Sequence, residues 1–151
     1  MITVGFDFGT HQTKICYETV ESGTVFYDVF KFKGIDGRSN FTIPSFIRHY
    51  SDDTLRYGYD ALEDIRGSRA ITYFKQVLFS WTCSEEKRIA AEQWSVLYLA
   101  FLIFKLDEKF KSSSYIIQMG MPTDADPKHY NFTKCQAVKV MAVAMILARK
   151  V

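Results

Sequence analysis

The chain has 151 residues, of which 48% are hydrophobic, 24% charged and 16% aromatic. That balance excludes a disordered chain, and the length is that of one domain able to bury a core. Nineteen basic and seventeen acidic residues give a net charge of +2 without a basic stripe, which argues against nucleic acid as a partner. Three scattered cysteines exclude a disulfide scaffold and argue against a zinc site.

The N-terminus lacks the positive region and apolar stretch of a signal peptide. The longest apolar run, residues 96–104, is about half the length required to cross a bilayer. Reduced cysteine thiols are typical of an intracellular compartment. We therefore expect a cytoplasmic protein that has no membrane partner.

The first third of the chain predicts short strands. Runs rich in β-branched and aromatic residues occupy 2–8, 13–19 and 24–32. Because tight turns join these runs, they predict an antiparallel meander. A turn-rich loop follows at 34–40, and a further strand is predicted at 42–50, with Pro44 favouring an edge position near its start.

The remainder predicts mainly helices. In chain order these elements are a short helix at 59–66 closed by Gly67, a segment at 72–79 that fits either helix or strand, a long helix at about 84–111, a buried strand at 115–121 and a final helix at 131–150. The fold class predicted is α/β, a meander followed by helix, strand and helix. The final helix carries apolar residues almost to the last position without a Gly or Pro stop, so we expect a chain truncated at its C-terminus.

The sharpest local motif, Asp7-Phe8-Gly9-Thr10-His11-Gln12, lies between the first two predicted strands. Gly9 permits a tight turn in which successive amide N–H groups point at one phosphate, and the hydroxyls of Thr10 and Thr13 would add donors. Asp7 beside that phosphate suits a hydrated Mg²⁺, which keeps several waters when it binds nucleotides. An ordinary hairpin with a glycine turn has the same pattern, so spacing alone leaves both interpretations open.

Residues 4–10, Val-Gly-Phe-Asp-Phe-Gly-Thr, resemble the first phosphate motif of the actin-like ATPase superfamily, which includes actin, DnaK-type heat-shock chaperones, bacterial filament proteins and sugar kinases. Later segments resemble the chaperone branch, in the same order along the chain: 37–47 with its Thr42-Ile43-Pro44-Ser45 strand, 56–62, 70–79, 117–122 and 134–151. The resemblance implies the ribonuclease H-like fold of that superfamily. It also implies that residues 1–151 are a single N-terminal lobe, whose partner is the missing remainder of the ATPase domain.

The same resemblance implies Mg²⁺ and ATP as ligands and assigns roles to particular residues. Asp7 would orient Mg²⁺-bound water, and Lys75 would reach the γ-phosphate as a point charge. The phosphate-binding turn would comprise Gly9, Thr10, His11 and Gln12. The chaperones usually have a second Thr where this chain has His11, so a backbone N–H is implied there rather than a hydroxyl contact.

The superfamily also requires a second phosphate loop, an adenosine-binding segment and a Glu or Gln that positions the attacking water. No segment of 1–151 resembles any of these, so we predict weak nucleotide binding and near-background hydrolysis. One alternative is a stand-alone, non-catalytic interaction module with half of the fold, which would bind protein partners or itself. Another is a sugar-kinase relative, suggested by Gly-Thr-x-x-Thr-Lys at 9–14. The biological output could be chaperoning, filament formation or plasmid segregation.

Overall fold

The computed structural model describes residues 2–111, 114–122 and 127–149. These residues form strands and helices in one chain, which confirms the predicted α/β class. The chain divides into two compact units. The first comprises Met1–Thr72 with Ser114–Gly120, and the second Tyr73–Ser113 with Met121–Val151.

The elements of the described residues are named in chain order. The strands are β1 (Ile2–Phe8), β2 (Gln12–Glu21), β3 (Thr24–Val29), β4 (Phe32–Lys33), β5 (Ser39–Asn40), β6 (Ile43–Pro44), β7 (Ile47–Tyr50), β8 (Leu55–Tyr57), β9 (Ser68–Ile71) and β10 (Tyr115–Met119). The helices are α1 (Phe74–Leu78), α2 (Glu85–Phe110) and α3 (Pro127–Ala148), and a single 3₁₀ turn spans Asp60–Leu62.

The first unit is built on a sheet whose strands follow the order β10-β1-β2-β3, with β6 paired to β2. β1, β2 and β3 are antiparallel, which confirms the predicted meander. Alternate residues of β1 and β2 are buried, so that one face of this hairpin belongs to the core and the other meets solvent. Phe6 lies opposite Ile15 on the buried face, whereas Asp7 lies opposite Lys14 on the solvent face.

β10 pairs with β1 in parallel, from Ile2 opposite Tyr115 to Phe6 opposite Met119. The strand predicted at 115–121 therefore exists, but the prediction that it is buried is wrong, because Ile116 is 43% exposed. β10 stands at the edge of the sheet, where among the described strands it pairs with β1 alone. Its parallel direction brings its C-terminal end to the end of β1 that carries Asp7.

The first unit also contains two small sheets, one of β4 with β5 and one in the order β8-β7-β9. The helix predicted at 59–66 is wrong, since only the short 3₁₀ turn forms. Two carbonyl groups of that segment accept hydrogen bonds from side chains of β7 instead of from helix amides. The Arg48 Nε donates to the carbonyl of Ala61 over 2.6 Å, and the Tyr50 hydroxyl donates to the carbonyl of Asp64.

The second unit contains the three helices. Ser84 caps α2 by accepting a hydrogen bond from the amide of Lys87, as its position before two glutamates favours. α2 packs on both α1 and α3, and its buried residues, including Tyr98 and Leu102, recur every three or four positions. The ring of Tyr98 lies 5.5 Å from that of Phe74 in α1. α3 begins at Pro127, four residues before the predicted start, because proline suits the first turn of a helix. The predicted end, Lys150, lies outside the described residues.

By length and composition, α2 and α3 could each cross a membrane, with mean hydropathies of 1.4 and 1.2 over their most apolar stretches. Of those stretches, 44% and 33% respectively are buried within the chain. The core helix of a soluble protein meets the same criterion, so the cytoplasmic location stays a prediction.

Candidate functional site

The candidate site is the turn at 9–11, which joins β1 to β2 at the end of the hairpin. The side chains of Asp7, His11 and Gln12 are exposed, and Gly9 and Thr10 are half-buried. The turn therefore presents a polar surface of backbone and short side chains to solvent. The turn predicted at these residues lies in a connection between two strands, and its binding of phosphate stays a prediction.

Gly9 is required by the close approach of the chain to itself. A Cβ atom at this position would lie 2.0 Å from the carbonyl oxygen of Gln12 and 3.2 Å from its carbonyl carbon. Real side chains do not tolerate such contacts, and the obstacle is backbone that cannot rotate away. The turn can therefore have this shape only with glycine at position 9.

Ser45 holds the turn from a distant part of the chain. Its hydroxyl donates to the carbonyl of Gly9 over 2.7 Å, and its amide donates to the carbonyl of His11 over 2.8 Å. The pairing of Gln12 with Pro44 in β6 brings Ser45 to this position. These bonds use carbonyl groups of the turn, whereas a phosphate would be bound through amide N–H groups. The contact with Ser45 therefore does not compete with an anion for the same atoms.

Thr13 does not serve as a ligand donor, which corrects the expectation drawn from its hydroxyl. Its side chain is fully buried on the core face of β2. Its Oγ1 lies 2.9 Å from the Oγ of Ser45, so the two hydroxyls share a hydrogen bond. Thr13 thus belongs to the internal support of the turn. Thr10, half-buried within the turn itself, is the remaining hydroxyl that the sequence analysis proposed for this role.

Asp7 projects from the solvent face of β1, opposite Lys14 of β2. Within the described part of the chain, neither side chain forms a hydrogen bond or an ion pair. A single exposed carboxylate suits a hydrated Mg²⁺, which needs only one or two protein oxygens and keeps the rest of its shell as water. Among the described residues no group of three or more His, Cys, Asp or Glu side chains could enclose a metal ion. Asp7 therefore fits an outer anchor and not a cage.

Lys75 lies in the second unit, as the second residue of α1, and its side chain is half-buried. The segment at 72–79, which fitted either helix or strand, contains this short helix. The left-handed backbone of Tyr73 precedes α1. The role of Lys75 at a γ-phosphate stays a prediction, because Lys75 and the 9–11 turn belong to different compact units.

A shallow depression of about 500 Å³ lies elsewhere on the first unit, beside β7 and β9. His49, Asp53 and Arg69 are among its lining residues, and the His49 Nε2 lies 3.1 Å from an oxygen of Asp53. Residues of the turn do not contribute to its walls. It is largely open to solvent, so it is a shallow surface depression without the enclosing walls of a ligand pocket.

The role of Ser45 was not predicted from the sequence, where Ser45 is only the last residue of a strand that resembles the chaperone branch. The available signal was proline followed by serine at the end of a short strand, but no local pattern identifies the residue to which the Ser45 hydroxyl bonds. The amide of Gly120 also bonds the carbonyl of Phe6 over 2.8 Å, which fixes the end of β10 beside β1.

No protein-family model and no curated protein matches this sequence.

Proposed function

We propose that this chain is the N-terminal part of an ATPase domain of the actin and heat-shock-chaperone type, and that the Asp7–Gln12 turn binds the phosphates of Mg-ATP. The proposal rests on one observation: two segments that each resemble the superfamily, and that lie far apart in sequence, contact each other in the structure. The Pro44-Ser45 stretch hydrogen-bonds the turn of the phosphate motif, although 36 residues separate Ser45 from Gly9. An accidental likeness of separate segments would not require them to meet.

The position of the turn supports the same proposal. β10, which carries another resembling segment, runs parallel to β1 and ends beside Phe6. In open α/β sheets, ligands bind outside the carboxyl ends of parallel strands. The turn follows the carboxyl end of β1 directly, so a phosphate there would have the usual relation to the sheet. The order of meander, helix, strand and helix also agrees with the fold implied by the resemblance.

In this proposal each residue acts through simple chemistry. Amides of residues 9–12 donate to phosphate oxygens, the hydroxyl of Thr10 adds a donor, and the carboxylate of Asp7 holds water of the Mg²⁺ shell. Lys75 would stabilise charge on the γ-phosphate. Because the chain supplies only this first set of contacts, we expect a Kd in about the millimolar range, equivalent to roughly 4 kcal/mol.

Calorimetric titration of the purified chain with ATP and with AMP, each with and without Mg²⁺, tests the proposal. We expect ATP to bind more tightly than AMP and Mg²⁺ to strengthen ATP binding. Asp7→Asn should remove most of the Mg²⁺ effect without unfolding the chain, since the carboxylate has no partner in the described structure. Asp36→Asn, which removes one charge from a different turn, is the matched control and should leave the Mg²⁺ effect unchanged.

Equal affinity for ATP and AMP would contradict the phosphate-binding turn, as would a folded chain that binds neither nucleotide at millimolar concentration. An Mg²⁺ effect that Asp7→Asn leaves intact would contradict the role of Asp7 alone. If the turn fails these tests, the interaction module becomes the better description of the chain.

A further inference from the structure

β3 is an edge strand that exposes apolar side chains beside an unpaired backbone edge, a combination that natural proteins usually avoid. Within the described residues it pairs only with β2, so its other side faces away from the sheet. Val25, Phe26 and Tyr27 are 46%, 49% and 77% exposed. The strand contains no Lys, Pro or bulge that would discourage pairing with another strand.

The direction of its backbone groups follows from one hydrogen bond. The amide of Phe30 donates to the carbonyl of Ile15 over 2.8 Å, so this position faces β2. Because successive residues of an antiparallel ladder alternate, the backbone groups of Val25, Tyr27 and Val29 point outward. The amide of Val29 is already bonded to the carboxylate of Asp28, over 2.7 Å. Val25 and Tyr27 therefore carry the groups that another strand would bind.

We infer that β3 pairs with β3 of a second copy of this chain, antiparallel and about a two-fold axis at Tyr27. This register places Tyr27 opposite its own counterpart and Val25 opposite position 29 of the other copy, so the whole strand is used. Both central Tyr27 amides and carbonyls gain partners. The exposed side chains on both faces of the strand lose contact with water.

The charges near the two ends of β3 favour antiparallel over parallel pairing of two copies. Glu21, at the end of β2, lies opposite the start of β3 at the hairpin, and Lys31 follows the other end of β3; both are exposed. An antiparallel pair places Lys31 of one copy beside the hairpin end of the other, so opposite charges meet at both ends. A parallel pair would bring like charges together. Since each copy offers its β3 edge once, the contact closes at a dimer.

A symmetric disulfide tests the register. In a chain carrying Cys16→Ser, Cys83→Ser and Cys135→Ser, Tyr27→Cys should form an intermolecular disulfide, because opposed Cα atoms across the axis are about 5.5 Å apart. Val25→Cys is the matched control on the same strand. Its two copies would be roughly 13 Å apart at about 3.4 Å per residue, which exceeds the span of a disulfide. Equal crosslinking of the two variants under mild oxidation would overturn the inference.

Sedimentation velocity of the unmodified chain tests the association itself. A single strand pair is a small interface, so the dimer should be weak and its fraction should rise with concentration. Tyr27→Lys should weaken dimerisation by about tenfold or more, because a lysine at an edge resists pairing. Ile116→Lys replaces a residue that is 43% exposed on β10, at the opposite edge of the same sheet, and it should leave dimerisation unchanged. A monomer at every concentration, or growth beyond the dimer, would overturn the inference.

Discussion

Two kinds of turn occur in the first unit, and they are held in different ways. The turns at 36–38, 52–54 and 64–66 are each closed by an aspartate whose carboxylate accepts the amide two residues ahead, over 3.0 to 3.1 Å. The turn at 9–11 is instead held by Ser45, which lies 36 residues from Gly9 in sequence. Local turns need only their own residues, whereas the 9–11 turn has its shape only when the sheet is folded.

This difference bears on function. A turn that binds phosphate must keep its amides aimed at one point, and preorganised donors cost less to align when the ligand arrives. In the proposed phosphate-binding role, Ser45 and Gly9 would provide that rigidity at 9–11. The aspartate turns occupy exposed connections, where local hydrogen bonds are sufficient. The variants below separate the two kinds of support.

Gly9→Ala should have the largest effect. The added methyl would overlap the carbonyl of Gln12, so the backbone of the hairpin must move. We expect the free energy of unfolding to fall by about 3 kcal/mol, measured by urea denaturation. A fall below about 1 kcal/mol would show that the turn can adopt another shape at little cost. In that case the close approach would not be what requires glycine.

Ser45→Ala should have the next largest effect. It removes the hydrogen bond to the Gly9 carbonyl and leaves the buried hydroxyl of Thr13 without its partner. An orphaned buried group costs about 1 to 3 kcal/mol, so we expect a loss near 2 kcal/mol in urea denaturation.

Thr13→Val combined with Ser45→Ala completes a double-mutant cycle. Replacing both hydroxyls removes the orphaned group, so the double variant should be more stable than the sum of the single losses predicts. Strict additivity of the two single effects would contradict a direct hydroxyl pair.

Gly67→Ala should have a smaller effect for a different reason. Gly67 has a φ of +62°, and the nearest atom to an added Cβ would be the Ser51 Oγ at 3.8 Å. Space is available, so only the left-handed backbone is penalised, at about 1 kcal/mol. Gly67→Asn should cost less, since asparagine tolerates that conformation, whereas Gly9→Asn should remain as costly as Gly9→Ala. Equal losses for both Gly67 variants in urea denaturation would contradict this explanation.

The local features of the fold could be read from the sequence. Runs rich in β-branched and aromatic residues predicted β1 and β2, and α2 lies within the long helix predicted at about 84–111. Aspartate favours turns because its carboxylate accepts a nearby backbone amide, and the amide of Thr54 donates to Asp52 in this way. Each of these depends on neighbours within a few residues.

Features that depend on distant residues could not be read in the same way. The 59–66 segment has a helical pattern, but the side chains of Arg48 and Tyr50 in β7 donate hydrogen bonds to two of its carbonyl groups, which in a helix would accept from backbone amides. The strand predicted at 42–50 forms as two short strands, β6 and β7. β8 and β9, with three and four residues, were not predicted because so short a run carries little pattern. At the candidate site, glycine and aspartate carried a recognisable pattern, whereas the support from Ser45 depends on strand pairing that no local rule supplies.

The smallest effect we expect is on the pKa values of the aspartates that close the local turns, which acid titration measures. The side-chain and backbone hydrogen bonds of Thr54 hold the pKa of Asp52 below its ordinary value of 3.8. The backbone hydrogen bond of Arg66, and then its side-chain hydrogen bond, lower the pKa of Asp64 in the same way. Because the folded-state pKa is lowered, each turn contributes stability above pH 3.8, and the contribution is lost as the pH falls through the lowered pKa. Thr54→Val removes the hydroxyl but keeps the amide, so the pKa of Asp52 should return only part of the way, while that of Asp64 should not move. Carboxylate chemical shifts followed by NMR measure both, and an Asp52 midpoint unchanged by Thr54→Val would show that the amide alone lowers it.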